Sequence, residues 1–217
     1  MSAVIQREEL IKAIREIKAN SKRRNFVQSV ELIVKLRDID LKKPENRLMT
    51  PVHLPYVPPE KQAKICVFAT GDLALRAKNA GADAVFSRED LENLSGSKKE
   101  AKKLASEYDF FLAQPDLMAH VGRVLGRFLG PRGKIPTVLP PNANVEALVA
   151  RLKNSRMIRV RDQPQVMCWV GLETQPEEEI AENILRVLEV IATKYTLPQQ
   201  LEKMYLKLTM GPSVRVR

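Results

Sequence analysis

The sequence predicts an α/β protein of two domains: a discontinuous α+β sandwich-like domain, with an antiparallel sheet and helices, and an inserted Rossmann-like three-layer α/β domain. Three observations support this fold class. Strands with one polar face occur towards both ends of the chain. Short, continuously apolar strands alternate with helices in the middle, which is typical of a covered parallel sheet. A proline-rich segment separates the two patterns. The predicted domains are residues 1–65 with 156–217, and residues 66–155.

The first segment contains a helix and two strands. The helix is predicted from one apolar stripe at helical spacing, formed by Leu10, Ile11, Ile14 and Ile17. A basic turn at 22–25 leads through Phe26 into a strand over 30–36, because alternate residues there are apolar. A second short strand is predicted over 48–54. Three prolines between 55 and 59 then form a stiff connector, which makes this segment a hinge candidate.

The middle of the chain has a different pattern. Apolar runs of strand length occur at 64–70, 84–86 and 108–113, and helical segments lie between them. With right-handed crossovers, these βαβ units form a small parallel sheet of Rossmann-like topology. The lysines of the segment 98–103 are expected to lie on a solvated helix face.

The last segment returns to amphipathic strands. Alternation at 156–161, a polar turn and a second strand at 166–171 predict a β-hairpin. Thr174 is the expected N-cap of the following helix, with Pro176 and an acidic triplet, 177–179, in its first turn. A final strand is predicted over 204–208.

The composition describes a basic globular chain. Its 217 residues include 36 Lys and Arg against 26 Asp and Glu, a net charge of +10, and 44% are apolar. No apolar run approaches the ~20 residues of a membrane helix, and charge at Arg7 and Glu8 comes too early for a signal peptide. The positive excess predicts a polyanion, most commonly nucleic acid and next an acidic membrane surface. Of these two we expect nucleic acid, and no membrane partner.

The cysteines and histidines restrict the chemistry further. Cys66 and Cys168 lie too far apart in sequence for a Cys-x-x-Cys metal site, and two cysteines form no disulfide framework. A reducing cytoplasm is the expected compartment. His53 and His120 leave little from which to build a zinc site or a catalytic triad. We expect no metal, no cofactor and no catalytic residue.

Two basic motifs are candidates for phosphate binding. The glycine-rich stretch 122–136 lacks the spacing of a phosphate loop, so its glycines serve close packing and turns, or the stretch is a basic loop that touches RNA phosphate. The basic turn 22–25 stands beside Phe26, which either packs in the core or stacks on a base or ribose. Cys168 and Trp169 are expected to be core residues.

Three landmarks resemble the L-one family of ribosomal proteins of the large-subunit lateral stalk. The end of the chain carries Thr209-Met210-Gly211-Pro212-Ser213, which is similar to the family's carboxy-terminal signature. The stretch 126–136 is similar to the family's internal signature. The strand segment from Phe26 to Leu36 resembles a third landmark of the family, near the start of the chain. Lys134-Ile135-Pro136 and the short end of the chain look more like the archaeal and eukaryotic branch than the bacterial one.

The resemblance implies a function and a set of contacts. Members have a discontinuous domain that binds the stalk helices of large-subunit ribosomal RNA, and they repress translation by binding their own mRNA. The stalk is associated with release of deacylated tRNA from the exit site. By matching positions, the expected RNA contacts are Phe26, Ser29, Thr209, Met210 and Gly211. The family usually has Lys where Asn25 stands here, so that phosphate contact passes to Arg24.

The resulting hypothesis is a non-enzymatic RNA-binding protein of the cytoplasmic ribosome, monomeric when free. Hydroxyl and backbone groups at Ser29, Thr209 and Gly211 would bind ribose and phosphate, and Phe26 and Met210 would supply apolar contact. Additional charge would come from Arg23, Arg24, Arg159 and Lys207. Its partners would be ribosomal RNA, its own mRNA and exit-site tRNA. The alternatives are a nucleotide- or cofactor-using α/β enzyme and an RNA-binding regulator that never enters ribosomes.

The distribution of charge favours the divided domain as the RNA-binding part. Residues 1–65 and 156–217 carry 23 basic and 16 acidic side chains, a net charge of +7. Residues 66–155 carry 13 and 10, a net charge of +3.

Overall fold

The computed structural model describes residues 5–216. The signal-peptide argument rests partly on residues 1–4, which lie outside this range, as does Arg217 at the predicted end of the divided domain. The helices are α1 (Arg7–Ala19), α2 (Gly71–Asn79), α3 (Arg88–Gly96), α4 (Lys98–Glu107), α5 (Pro115–Leu129), α6 (Val145–Lys153) and α7 (Glu177–Ala192). The strands are β1 (Ser29–Leu36), β2 (Leu48–His53), β3 (Ile65–Phe68), β4 (Ala84–Phe86), β5 (Phe110–Ala113), β6 (Thr137–Val138), β7 (Ser155–Val160), β8 (Gln165–Leu172), β9 (Leu201–Leu208) and β10 (Ser213–Arg215).

The chain divides into two compact units. Unit 1 contains the described residues up to Pro59 and those from Ser155 onwards, and unit 2 is Glu60–Asn154. Unit 1 has an antiparallel sheet with helices, and unit 2 has a parallel sheet with helices. This confirms the predicted α/β fold class. The predicted boundary between residues 65 and 66 falls inside β3.

Unit 1 is built on a four-stranded antiparallel sheet with the strand order β10-β9-β1-β8. Alternate β1 residues, from Val30 to Leu36, are buried and pair with buried β9 residues, as at Val30–Leu208 and Val34–Met204. Because successive side chains of a strand point to opposite faces, this pairing places one apolar face against α1 and α7. Glu31, Ile33 and Lys35 share the opposite face.

The predicted hairpin between the strands at 156–161 and 166–171 is wrong. β7 pairs with β2 over the register Leu48–Val160 to His53–Ser155, and β8 pairs with β1. Alternation identifies each segment as a strand, but it does not identify the partner. The pairing follows from burial instead, because Leu48 and Val160 lie opposite each other and are both buried in the unit 1 core.

The start of α7 also differs from the prediction. The N-cap residue is Pro176, not Thr174, because residues 172–175 form a turn. In that turn the Gln175 backbone N–H donates to Leu172 O at 3.1 Å, and the Leu172 N–H donates to Gln175 Oε1 at 2.9 Å. The acidic triplet does occupy the first helical turn, where carboxylates interact favourably with the helix dipole.

Unit 2 contains a parallel sheet with the order β4-β3-β5-β6, of which β6 was not predicted. The central strands β3 and β5 are buried along their whole length. The glycine-rich stretch is not a loop over its first half, because α5 continues to Leu129 and includes Gly122 and Gly126. A Cβ atom at either glycine would meet open space, so close packing does not explain them. Gly133, with φ of +67°, does serve a turn.

The basic side chains at the end of this stretch make contacts within unit 2. Lys134 Nζ donates to Tyr108 O at 2.5 Å and to Ala105 O at 3.2 Å. Arg132 donates to Phe128 O at 3.1 Å and to Ser106 Oγ at 3.0 Å. Partial burial lowers the pKa of Lys134. Both cations therefore stabilise the end of α4 and the turn after α5.

Replacing Lys134 with Met is expected to destabilise the protein. The Tyr108 and Ala105 carbonyls lose a charged donor, which costs about 1–3 kcal/mol in the free energy of unfolding. Urea unfolding followed by circular dichroism measures this loss. The matched control is Lys102→Met on an exposed position of α4, and equal midpoints for the two variants would contradict the stabilising role.

Candidate nucleic-acid interface

Three chain segments meet at one end of the unit 1 sheet. β1 begins where its antiparallel neighbours β8 and β9 end, with Ser29 opposite Leu172 and Val30 opposite Leu208. The loop before β1, the turn after β8 and the turn after β9 therefore lie together. We call the predicted residues that this arrangement assembles the strand-end cluster: Arg23, Arg24, Phe26, Ser29, Thr209, Met210 and Gly211.

A basic concavity forms one side of this end. It has a volume of about 780 Å³ and is lined by Lys18, Ser21, Glu173, Thr174 and residues 22–27. Lys22, Arg23 and Arg24 are exposed, and none of them forms an ion pair with another residue in the range 5–216. A concave surface with uncompensated cations focuses positive potential and attracts a polyanion.

Large apolar side chains are exposed beside these cations. Phe26 is 51% exposed, Val27 49% and Met210 59%. The core interpretation of Phe26 is therefore wrong. Exposed aromatic and thioether groups next to cations suit contact with bases and riboses.

The hydroxyl of Thr209 holds the ends of β1 and β9 together. The Ser29 N–H donates to Thr209 Oγ1 at 3.1 Å, and Thr209 Oγ1 donates to Ser29 O at 3.4 Å. The Thr209 N–H also donates to Ser29 O, at 3.1 Å. Since a hydroxyl has two lone pairs, Thr209 keeps one acceptor site for a ligand. The Ser29 hydroxyl has no hydrogen-bond partner among the residues that the structure describes.

Gly211 lies against the end of α1. A Cβ atom at this position would be 3.1 Å from Ser21 Oγ and 3.2 Å from Leu208 Cβ. Any larger residue would therefore push the turn after β9 away from the loop after α1. The glycine is required for close approach and not for a left-handed backbone.

Sequence reasoning missed two residues beneath the cluster, Gln28 and Glu173. Gln28 is only 1% exposed, and its backbone N–H donates to Glu173 Oε1 at 2.8 Å. The two residues are 145 positions apart in sequence. Gln28 stands at an unspecified position of the landmark that starts at Phe26, and Glu173 belongs to no motif. The only local signal is a polar residue at the point where the apolar alternation of β1 begins.

Two of the predicted charges lie apart from the cluster. Lys207 Nζ is 3.9 Å from a carboxylate oxygen of Glu31, and both residues lie on the sheet face away from the helices. Arg159 stands opposite Met49, next to the turn whose Pro164 O accepts from the Leu36 N–H. That turn is at the far end of β1, about 23 Å from Ser29 at 3.3 Å per residue. The structure therefore does not bring Arg159 to the strand-end cluster.

The crevice of unit 2 where nucleotides bind in many parallel α/β folds is bridged by side chains. The switch point lies between β3 and β5. There the Thr70 N–H and hydroxyl donate to Gln114 Oε1 at 3.2 and 3.3 Å, and Gln114 Nε2 donates to Asp116 at 3.2 Å. These polar groups pair with one another, so the geometry favours unit 1 as the functional site.

The described residues offer little support for a metal site, a membrane-spanning helix or a reactive thiol. Within residues 5–216, no three His, Cys, Asp or Glu side chains are grouped as a metal site would need. Across the same residues, each helix is too short or too polar to cross a membrane. Burial raises the pKa of both thiols, that of Cys168 to about 12, which disfavours the reactive thiolate. Cys168 is a core residue as predicted, whereas Trp169 is only partly buried and lies 4.7 Å beneath the Arg156 guanidinium.

Comparisons with a family model and with known proteins point to the same family. A family model described as the ribosomal protein L1p/L10e family matches residues 10–212. Large ribosomal subunit protein uL1 of Thermofilum pendens is 54% identical over 208 residues, which cover 95% of this chain and 92% of that protein. The proteins with the same name from Pyrobaculum islandicum and Archaeoglobus fulgidus are 52% and 48% identical. They cover 100% and 98% of this chain, and 97% and 99% of their own lengths. All three come from archaeal species.

Proposed function

Because this chain belongs to the ribosomal protein L1p/L10e family, a family of structural proteins and not of enzymes, we propose that it binds the stalk helices of large-subunit ribosomal RNA through the strand-end cluster. The chain is a structural constituent of the large ribosomal subunit. The resemblance predicted from the sequence, to the archaeal and eukaryotic branch of the family, is thus confirmed, since the relatives compared are archaeal. The observation that carries the RNA proposal is the meeting of uncompensated cations and exposed Phe26 in one concavity, with exposed Met210 on the turn after β9 at the same end of the sheet.

Each part of the cluster has a proposed contact. Arg23 and Arg24 bind phosphates, since guanidinium groups match phosphate oxygens in a bidentate geometry. Phe26 and Met210 contact exposed bases or riboses. The Ser29 hydroxyl and the free lone pair of Thr209 bind ribose 2′-hydroxyls, and the backbone at Gly211 approaches the RNA closely. Lys207 adds screened charge from the neighbouring sheet face, and Arg159 has no contact in this cluster.

Two finer roles belong to the same proposal. The strand-end cluster binds a similar RNA structure in the protein's own mRNA and so represses its translation. As part of the stalk of a cytoplasmic ribosome, the protein assists release of deacylated tRNA from the exit site. Family membership supports both roles, and the location of the free cations in unit 1 supports the RNA surface that the first one needs.

A binding experiment tests the central proposal. We expect a stalk fragment of large-subunit ribosomal RNA to be retained by the purified chain in a filter assay, and an unrelated hairpin of equal length to compete poorly at the same salt concentration. The leader of the protein's own mRNA should compete with the stalk fragment. Equal competition by the unrelated hairpin would contradict specific stalk recognition.

Sedimentation tests the alternative of a regulator that stays outside ribosomes. The native protein is expected in the large-subunit fraction of a sucrose gradient, even after a wash at moderate salt. Recovery only at the top of the gradient, together with specific binding of the mRNA leader, would favour the regulator.

A further inference from the structure

We infer that Gln28 and Glu173 form a positioning pair, which holds the two RNA-contacting segments of the strand-end cluster at a set distance from each other. This inference rests on the proposed function and deepens it. Neither residue needs to touch RNA for this role. Their hydrogen bonds connect the loop after α1, the start of β1, the turn after β8 and the turn after β9.

The Gln28 side chain is the centre of this network. Its Nε2 group donates to Ser21 Oγ at 3.2 Å and to Lys22 O at 3.4 Å, which holds the basic loop. Its Oε1 atom accepts from the Met210 N–H at 3.1 Å, which holds the turn after β9. One nearly buried amide therefore sets the position of the basic loop relative to the turn that carries Thr209 and Met210.

Glu173 in turn fixes Gln28. Its carboxylate accepts from the Gln28 N–H at 2.8 Å and from Gln28 Nε2 at 3.2 Å, and the Glu173 N–H donates to Gln28 O at 2.9 Å. These three hydrogen bonds hold both the backbone and the side chain of Gln28. With Oε2 of Glu173 accepting from Nε2, the amide keeps its oxygen towards Met210.

The sign of the Glu173 charge makes this role unusual. Glu173 lines the same concavity as Lys22, Arg23 and Arg24. If charge alone decided, a carboxylate at this place would repel phosphate and weaken RNA binding. The presence of Glu173 in a basic site is explained by its hydrogen bonds to Gln28, since an ionised acceptor makes stronger bonds than a neutral one.

The variant Glu173→Gln separates positioning from simple electrostatics. The introduced amide has a single acceptor oxygen and places an NH2 group against one of the two Gln28 donors. We expect about tenfold weaker binding of the stalk fragment, although the variant has one more net positive charge. Tighter or unchanged binding would overturn the inference, because it would mean that the carboxylate acts only through its charge.

The variant Gln28→Glu adds a second measurement, the pH dependence of RNA binding. A residue that only stabilised the fold would not change this pH dependence. Two carboxyl groups would then face each other at the 3.2 Å contact and share a proton, with Lys18, Lys22, Arg23 and Arg24 as the cations that line the same concavity. Like-charge contact raises the pKa of such a pair. We expect RNA binding to be weak at pH 8 and to recover towards pH 5, where the introduced carboxyl group is protonated and donates to Glu173.

The control for the pH profile is Gln199→Glu, which makes the same charge change at an exposed position of unit 1. Its binding should follow the wild-type pH profile. The inference is overturned if the pH profile of Gln28→Glu matches those of the wild type and of Gln199→Glu. Thermal unfolding at each pH shows whether the variant is folded, and Glu173→Gln decides the question should Gln28→Glu unfold.

The double variant Gln28→Glu with Glu173→Gln restores one acid and one amide. We expect it to bind more tightly than either single variant at pH 8, because residues in direct contact show non-additive effects. Strict additivity would count against a coupled pair. Wild-type binding distinguishes the two levels of the proposal: if the wild type does not recognise the stalk fragment, the proposed function fails. If the wild type recognises the stalk fragment but the variants do not behave as expected, only the positioning role of Gln28 and Glu173 fails, and the proposed function stands.

Discussion

The double variant Arg23→Gln with Arg24→Gln is expected to bind the stalk fragment about 10- to 100-fold more weakly at 0.1 M salt, because two charged phosphate contacts are lost. These side chains are exposed and form no ion pair with another residue in the range 5–216, so their removal breaks no ion pair in the described part of the fold. The slope of log Kd against log salt should also become shallower by about 1.4 to 1.8. Filter binding from 0.05 to 0.4 M salt measures both quantities.

The matched control is Lys42→Gln with Lys43→Gln. This pair is also exposed and adjacent and lies in unit 1, but it follows the opposite end of β1. It changes the net charge by the same amount. If both double variants weaken binding equally, the RNA responds to the overall charge of the protein and not to the concavity.

Thr209→Val is the second change with a large expected effect. The hydroxyl accepts from the Ser29 N–H and donates to Ser29 O, and we propose that its remaining lone pair accepts from the RNA. Its loss leaves polar groups of both the protein and the RNA unpaired, which should cost about 1–3 kcal/mol in binding free energy. Calorimetric titration of the stalk fragment measures the loss.

The conservative variant Thr209→Ser controls for this effect. It keeps the hydroxyl and removes only a methyl group, so its affinity should stay within a few-fold of the wild type. Urea unfolding of both variants reports how much of the Thr209→Val loss arises from a weakened end of the β1–β9 pair. Wild-type affinity in Thr209→Val would show that the hydroxyl makes no RNA contact.

Much of the fold could be predicted because its signals are local. The alternation from Val30 to Leu36 indicates a strand with one buried face, and the apolar runs at β3 and β5 indicate strands buried on both faces. β6 could not be found in this way, because it has only two residues, both exposed, and is a strand only through its pairing with β5.

The candidate site was predictable where it carries motifs. Local motifs mark the basic turn before Phe26 and the segment Thr209-Met210-Gly211, and the structure places both at one end of the unit 1 sheet. Arg159 was grouped with them by charge, and only the pairing of β7 with β2 shows that it belongs to the far end of unit 1. The charge of a side chain follows from the sequence alone, whereas its place in the fold depends on which strands pair.

The sequence by itself determined the family, the two types of sheet and the excess of positive charge on the divided domain. These properties follow from side-chain identity and from periods of two and 3.6 residues, which need no knowledge of distant contacts. Only the tertiary structure decided that β7 pairs with β2, that Phe26 is exposed, and that Gln28 and Glu173 meet beneath the cluster. The physical reason is that burial and hydrogen bonding join residues far apart in sequence, such as Met210 and Gln28 at 182 positions, and local patterns carry no record of such partners.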